Sequence, residues 1–336
     1  MAEGLDFLAV VSRPDFPSGT GPVGDYYNLR GLLERRTDWH AAVLELNSHT
    51  TEISWDDTRF IISQEGLPPF DLGEVRTALF LPICLEVEET LLCRVDRNGR
   101  WPRFAEEQWR PITAAFEDRL SHQRCLNPPD RVRATNNKLL QFERLRKAGF
   151  ALPGTAVSSG RPVGPVWSRE ALLVAKNVSE GGWKSADGSG AVREFSPARL
   201  VGLQEPTDPW PVIWQDCIEG SHELRCFVMG DDVIAVDLLR DPDVLDVRST
   251  NNGRPVARLT EISPEWTAML RNVTRCLGLQ YAVIDAIPNG DDLHLLEVNA
   301  NGVWWFLPDR VAGVLEARFH AWLEREVDLF RSGDPA

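Results

Sequence analysis

Hydrophobic and polar residues follow two periodicities along the chain, and each periodicity predicts a different kind of element. The first part begins with an apolar run at 5–12, then helical spacing at 24–38, a second apolar run at 78–87 and an amphipathic segment at 104–123. Strands that alternate with helices in this way are typical of an α/β unit. A turn-rich stretch with two consecutive prolines, at 126–136, predicts a break after this unit.

The remainder of the chain predicts a different architecture. Its pattern indicates helices at 136–150, 264–279 and 309–330, strands at 171–179 and 209–218, and hairpins at 222–240 and 280–298. Several hairpins with few crossovers are typical of an antiparallel α+β arrangement. We therefore predict an α/β domain at 1–125, a central subdomain at 126–208 and a C-terminal subdomain at 209–336.

Composition and charge narrow the class of protein. Of 336 residues, 43% are hydrophobic and 26% are charged, which is ordinary for a soluble globular protein. No apolar run approaches ~18 residues, and the first residues carry acids where a signal peptide is basic, so we expect a cytoplasmic protein. The net charge of -14 argues against nucleic acid or an anionic membrane as partner. The six cysteines contain no C-x-x-C pair, so neither a zinc site nor a disulfide framework is expected.

A glycine-rich loop, "SEGGWKSADGSG" at 179–190, is a candidate phosphate site, because glycines free backbone N–H groups to face anions and Lys184 lies inside it. It is not a Walker A loop, since Trp183 stands where a glycine is required. A surface hairpin loop is the plainer alternative. Lys176, which ends the preceding apolar strand, either faces solvent or reaches phosphates under this loop, and Lys138 offers a second cation.

Charged residues also share one face of the strand in "HELRCFVM". Glu223 and Arg225 alternate with apolar residues, so they point the same way. They fit either a cross-strand ion pair or a nucleotide site, with Glu223 on a ribose hydroxyl and Arg225 on a phosphate oxygen. His222 faces the other way and is interpreted as structural. Arg248, in "VRSTN", is a further candidate on a loop.

The stretch "LLEVNANG" places Glu297 and Asn299 on one strand face, and Asp285 lies on the preceding strand of the same hairpin. A two-residue turn at 289–290 would put Asp285 and Glu297 on opposite faces, whereas a five-residue loop at 288–292 would put all three side chains together. The pattern alone leaves both registers open. If the loop is odd-numbered or the strand is bulged, two carboxylates and an amide converge, a ligand set that suits Mg²⁺.

In this order the motifs resemble those of the ATP-grasp ligases over residues 126–305. The resemblance implies two antiparallel sheets enclosing ATP, preceded by an α/β pre-ATP-grasp domain, and two Mg²⁺ ions. It implies that Lys138, Lys176 and the loop residue Lys184 contact nucleotide phosphates, and that the connector holds adenine through the backbone of Gln215, Asp216, Cys217 and Ile218. It implies a ribose contact for Glu223 and phosphate roles for Arg225 and Arg248. The implied metal ligands are Asp285, Glu297 and Asn299.

A closer resemblance, carried by "FAEEQW", "CLNPPDRVRATNNKLLQFERLRKAGFALPGT" and "EVNANGVW", is to the microviridin-type (graspetide) macrocyclases, although Ala300 and Val303 depart from their usual Pro and Gln. It implies that Asp or Glu side chains of a ribosomal precursor peptide, leader plus core, are activated as acyl phosphates. Ester or amide links to Ser, Thr or Lys then follow, and we expect a homodimer. The alternatives are an amino-acid or small-molecule carboxylate–amine ligase similar to the ribosomal-protein glutamate ligases, and a non-catalytic nucleotide-binding regulator.

Overall fold

The computed structural model describes eleven stretches of the chain: 4–11, 27–45, 51–56, 58–81, 102–160, 167, 172–178, 199–202, 210–220, 222–239 and 255–332. Its helices are α1 (Leu29–Arg35), α2 (Pro102–Ser121), α3 (Pro129–Asn136), α4 (Lys138–Lys147), α5 (Pro264–Leu277) and α6 (Asp309–Arg331). Within these stretches, no helix has the length and apolar character needed to cross a membrane.

The strands are β1 (Phe7–Val11), β2 (Ala41–Glu45), β3 (Glu52–Trp55), β4 (Phe60–Gln64), β5 (Leu67–Asp71), β6 (Thr77–Leu81), β7 (Thr155–Ser158), β8 (Leu172–Asn177), β9 (Arg199–Gly202), β10 (Val212–Asp216), β11 (His222–Met229), β12 (Asp232–Leu239), β13 (Ala257–Thr260), β14 (Tyr281–Asn289) and β15 (Asp292–Asn299). The described strands form a parallel sheet, β2-β1-β6, and three antiparallel sheets, β3-β4-β5, β7-β10-β8-β9 and β13-β12-β11-β14-β15.

The N-terminal strands agree with the α/β prediction where they are described. β1 and β6 are buried along their whole length, because both faces of a parallel sheet are covered. β2 to β5 were not predicted: β3 is largely exposed, and the alternation in β4 spans only five residues. Elements of this region share one hydrophobic core with the five-stranded sheet. The division at 125 and 208 stays a prediction.

The prediction of a turn-rich stretch at 126–136 is wrong for most of its length. Residues Pro129–Asn136 form helix α3. Proline is favoured at the first helical position, where its missing N–H is not needed, and Asp130 lies favourably in the first turn. Asn137 then ends α3 and caps α4, since its side-chain oxygen accepts from the backbone N–H groups of Leu139 and Leu140.

The five-stranded sheet is covered on both faces by helices. On one face, Cys226 and Ile284 pack in the same core as Leu270 and Val273 of α5. On the other, Phe227 packs with residues of α6 such as Phe319 and Trp322. Alternation along β11 therefore divides two cores, and the predicted α+β class is confirmed.

Two neighbouring tryptophans test this packing. The Trp304 ring is 5.3 Å from those of Tyr27 and Phe319, measured between centroids, and the residue is 2% exposed. Trp305 is 39% exposed. We expect Trp304→Ala to lower the free energy of unfolding by about 3–5 kcal/mol, because it empties a buried aromatic site. Trp305→Ala, the matched control, should cost less than about 1 kcal/mol. Urea denaturation compares the two, and equal losses would contradict the assignment of Trp304 to the core.

Candidate active site on the five-stranded sheet

A β-bulge sets which side chains of the β14–β15 hairpin share a face. Asn289 pairs with Asp292 across a two-residue turn, Gly290–Asp291, in which Gly290 has φ +63°. Without interruption this register would pair Asp285 with Leu296. The register shifts after Asp285, so that Asp285 pairs with Glu297 and Leu296 is the extra residue. Both turn positions considered from the sequence, at 289–290 and at 288–292, are therefore wrong, whereas the alternative of a bulged strand is confirmed, and the bulge brings the carboxylates together.

Three charged residues form a row across adjacent strands, because Arg225 pairs with Asp285 and Asp285 pairs with Glu297. The Arg225 Nη1 atom lies 2.8 and 2.9 Å from the two carboxylate oxygens of Asp285. Asn299 Nδ2 donates to Asp285 Oδ2 and to Glu297 Oε1, both at 3.2 Å. The structure thus brings Arg225, Asp285, Glu297 and Asn299 into one cluster, and the cross-strand ion pair considered for Arg225 is present.

The guanidinium of Arg225 also contacts the segment that follows β15. Its Nη2 atom donates to the carbonyl oxygen of Val303 at 3.5 Å, and its Cζ atom lies 5.3 Å from the ring centroid of Phe306. Glu223, two residues earlier on β11, shares this face and is half-buried. The cluster therefore continues along β11 from Arg225 to Glu223.

Two lysines approach the cluster from other elements. Lys138, the first residue of α4, places Nζ 3.2 Å from Glu297 Oε2. Lys176 lies on β8 opposite Ile213, on the face away from the buried Ala175 and Trp214. Lys176 and the carboxylates thus face one space from two different sheets.

The ionisation of these groups is coupled. Burial lowers the pKa of Lys176; the charge of Glu297 opposes that shift, and the nearby Lys138 adds to it. Burial by itself would raise the pKa of Glu297, but the charges of Lys138 and Lys176 and the hydrogen bond from Asn299 outweigh it, so the pKa is lowered. Glu297 is therefore held as a carboxylate by two lysines.

The predicted adenine connector begins inside a strand. Gln215 is buried and donates from Nε2 to Thr155 Oγ1 at 3.1 Å. The Asp216 carboxylate accepts from Gly154 N at 2.9 Å and from Trp167 Nε1 at 2.6 Å, so this side chain holds neighbouring structure. Cys217 and Ile218 follow β10 and are half-buried. Their backbone leads into β11, and their contact with a nucleotide stays a prediction.

Two predicted site residues cannot be placed. Lys184 with its glycine-rich loop, and Arg248 with "VRSTN", lie outside the described residues. Their assignment rests on the sequence alone.

The donor set fits a hard divalent cation. Two carboxylates and an amide oxygen are ligands that Mg²⁺ accepts alongside nucleotide phosphates. Across the described stretches, no three His, Cys, Asp or Glu side chains group as a metal site; a three-donor site at this cluster would take the amide of Asn299 as its third donor. Its Nδ2 faces the carboxylates here, and turning the amide would present Oδ1 instead.

Charge at the cluster is balanced among the residues described. Three cations, Lys138, Lys176 and Arg225, face three carboxylates, Glu223, Asp285 and Glu297. An added nucleotide brings negative charge and an added divalent ion brings positive charge. Binding of the two together would preserve this balance better than binding of either alone.

His294 was missed by the sequence analysis. It pairs with Ile287, two residues from Asp285, and therefore lies on the same face as the carboxylates. In the described part of the chain its Nδ1 atom is buried without a hydrogen-bond partner. The alternation of His294 with the apolar Leu293 and Leu295 was the available signal. His222, by contrast, places Nδ1 2.8 Å from Asp237 Oδ1, on the opposite face.

Comparison with known proteins agrees with an ATP-grasp fold. A family model described as the RimK-like ATP-grasp domain matches residues 205–304. A probable alpha-L-glutamate ligase of Histophilus somni (strain 2336) is 25% identical over 213 residues, which span 61% of this chain and 69% of that protein.

Two solved structures share the fold across nearly the whole chain. One is the macrocyclase MdnC of Microcystis aeruginosa bound with precursor peptide MdnA, with TM-score 0.67, 16% identity and coverage of 95% of this chain and 99% of the other. The second is the ATP-grasp ligase PsnB complexed with a variant of its minimal precursor, Mg and ADP, with TM-score 0.64, 18% identity and coverage of 95% and 99%.

The chain has the ATP-grasp fold, as predicted from its motifs, and the relative and the two solved structures that match it are named as ligases or as a macrocyclase. The RimK-like match over residues 205–304 includes β11, β14 and β15 and therefore the row Arg225, Asp285 and Glu297. ATP-grasp ligases use ATP and Mg²⁺, which agrees with the donor set described above.

Removing a lysine should change the response of the protein to acid. A lowered folded-state pKa means that Glu297 contributes stability above its ordinary pKa of 4.5 and loses it as the pH falls through the lowered value. In Lys138→Met the pKa of Glu297 should lie closer to its ordinary value, so the variant should start from a lower stability and lose less of it than wild type as the pH falls below 4.5. Urea denaturation at pH 6, 4 and 3, without nucleotide or metal, measures the difference.

Lys147→Met is the matched control, because Lys147 pairs with Glu143 on the exposed face of the same helix. It should follow the wild-type profile. A Lys138→Met profile that overlays wild type would show that Lys138 does not hold the Glu297 carboxylate.

Proposed function

We propose that this protein is an ATP-dependent ligase that cross-links a ribosomal precursor peptide. It would activate Asp or Glu side chains and join them to Ser, Thr or Lys by ester or amide bonds. One observation carries the ligase chemistry: the row Arg225–Asp285–Glu297, faced by Lys138 and Lys176 from other elements. Two solved structures that align with more than nine-tenths of this chain support the peptide substrate: a macrocyclase bound with its precursor peptide, and an ATP-grasp ligase complexed with a precursor variant.

Each residue of the cluster has a task in this proposal. Lys138 and Lys176 bind nucleotide phosphate oxygens, with Lys184 in the adjoining loop, and the 215–218 connector and Glu223 hold adenosine. Asp285, Glu297 and the Asn299 amide oxygen hold Mg²⁺, which when bound neutralises phosphate charge. Arg225, kept in place by Asp285, Val303 and Phe306, faces the transferred phosphoryl group, and Arg248 completes the site.

The proposed reaction has two steps. An oxygen of the substrate carboxylate attacks the γ-phosphorus of ATP, and ADP leaves, which gives an acyl phosphate. A hydroxyl or amine of the same peptide then attacks the acyl carbon, loses its proton, and releases phosphate. The protein contributes orientation and positive charge, so no general base from the described cluster is needed to account for the first step.

The same proposal includes two metal ions, a cytoplasmic location, a homodimer, and no nucleic-acid or membrane partner.

A second candidate function is ligation of a free amino acid to a carboxylate. It is favoured by the family description and by the glutamate-ligase name of the H. somni relative. The chemistry of activation is shared, and the acceptor differs.

The first prediction concerns the acceptor. The protein should be incubated with Mg-ATP and a short acidic peptide containing Ser, Thr or Lys that is encoded beside its gene. We expect ADP release and the loss of one water per link in the peptide, measured by mass spectrometry. Incubation with free amino acids and no peptide is the parallel arm. ADP release with amino acids alone would favour the second candidate and contradict the first.

A second prediction concerns Glu297. Glu297→Gln keeps the size of the side chain and removes the charge that a metal requires, so turnover should fall by about 100-fold or more. Glu143→Gln, an exposed acid on α4, is the control and should retain wild-type turnover. Cross-linking at the wild-type rate by Glu297→Gln would refute the metal assignment.

A further inference from the structure

The outer edge of the five-stranded sheet is completed by a side chain. β15 is the last strand of that sheet, so Val298 has backbone groups directed away from β14. Gln141, a buried residue of α4, donates from Nε2 to the carbonyl oxygen of Val298 at 2.7 Å and accepts from the Val298 N–H through Oε1 at 2.9 Å. Its amide bonds Val298 as a neighbouring strand would.

The same amide is fixed at its other side. Gln141 Nε2 also donates to the carbonyl oxygen of Thr135 in α3, at 2.7 Å. Both N–H groups and the oxygen of the amide are therefore used, and the side chain has little freedom to turn. Lys138, one turn earlier on α4, lies on the same helix face and contacts Glu297. Helix α4 thus binds the backbone and a side chain of β15.

A second buried amide holds the end of this segment. Asn127 Nδ2 donates to the carbonyl oxygens of Tyr281 at 2.8 Å and Ala300 at 2.7 Å. Its Oδ1 atom accepts from the N–H groups of Gln280 and Tyr281, both at 3.0 Å. The stretch 297–300 is therefore anchored at Val298 and again at Ala300.

We propose that Gln141 is a positioning residue for the metal ligands. Val298 lies between Glu297 and Asn299, and the hydrogen bonds from Gln141 fix the orientation of the peptide groups on both sides of it. A small rotation there would change the separation of the Glu297 and Asn299 oxygens. Partners of this kind, one shell beyond the ligands, typically change metal affinity by about 10–100-fold when removed. The inference rests on the proposed function, because it takes Glu297 and Asn299 as ligands.

The test uses Mn²⁺ as a paramagnetic probe, with ADP, on the full chain. Gln141→Met keeps the length of the side chain and removes its hydrogen bonds. We expect the affinity for Mn²⁺ in the presence of ADP, measured by electron paramagnetic resonance, to fall about 10-fold or more. The affinity for ADP without metal, measured by calorimetry, should change by less than about 2-fold, because the lysines are retained.

Gln64→Met is the matched control. Gln64 is buried in β4, in a different sheet from β15, and makes three hydrogen bonds, to Glu45 N, Glu45 O and Thr51 Oγ1. It should lose thermal stability as Gln141→Met does and keep wild-type Mn²⁺ affinity. If Gln141→Met does not fold, Gln141→Glu carries the test: it keeps an acceptor for Val298 N–H, loses both donors, and should show the same loss of Mn²⁺ affinity.

Two failures are distinguishable. If wild type binds Mn²⁺ with ADP and Glu297→Gln does not, but Gln141→Met or Gln141→Glu binds as wild type, the positioning role is overturned and the metal site stands. If Glu297→Gln binds Mn²⁺ as tightly as wild type, the metal site of the proposed function is overturned, and the role of Gln141 with it.

Discussion

The extra residue in β15 determines which side chains of the β14–β15 hairpin share a face with Arg225. Because Leu296 has no partner on β14, Glu297 comes opposite Asp285 and not on the other face of the sheet. Arg225 extends the same row onto β11 through two short contacts with Asp285. Without that bulge, the strand would bury a carboxylate in the core that packs against α5, at a large cost in desolvation.

Neighbouring cations offset the free-energy cost of burying the carboxylates of this row. Each carboxylate of the row has a cation beside it, Arg225 for Asp285 and Lys138 for Glu297. Lys176 reaches the same charges from the other sheet. Nucleotide and metal carry opposite charges, and they would enter together and exchange these internal contacts for their own. The cluster is therefore organised before either is bound.

Much of this was available from the sequence. Alternation predicted the shared faces of Glu223 with Arg225 and of Glu297 with Asn299, and the order of motifs predicted the ATP-grasp fold that the comparisons confirm. The register of β14 against β15 could not be chosen from the sequence, because a bulge depends on pairing between strands. In the sequence this bulge leaves only a weak break in periodicity at Leu296–Glu297. Helix α3 was missed because its prolines indicate a break as readily as a helix start. The roles of Gln141 and Asn127 give no local signal, since their partners on the five-stranded sheet lie more than 150 residues away in the sequence.

In the proposed function, Asp285, Glu297 and Asn299 form one metal site on the sheet. A crystal structure of the protein with ADP and Mn²⁺, with anomalous scattering recorded for manganese, tests this site most directly. We expect an anomalous peak within bonding distance of carboxylate oxygens of Asp285 and Glu297 and of the Asn299 amide oxygen, with Gln141 still bonded to Val298. A manganese peak held only by other residues, with Arg225 and Lys138 still paired to these carboxylates, would contradict it.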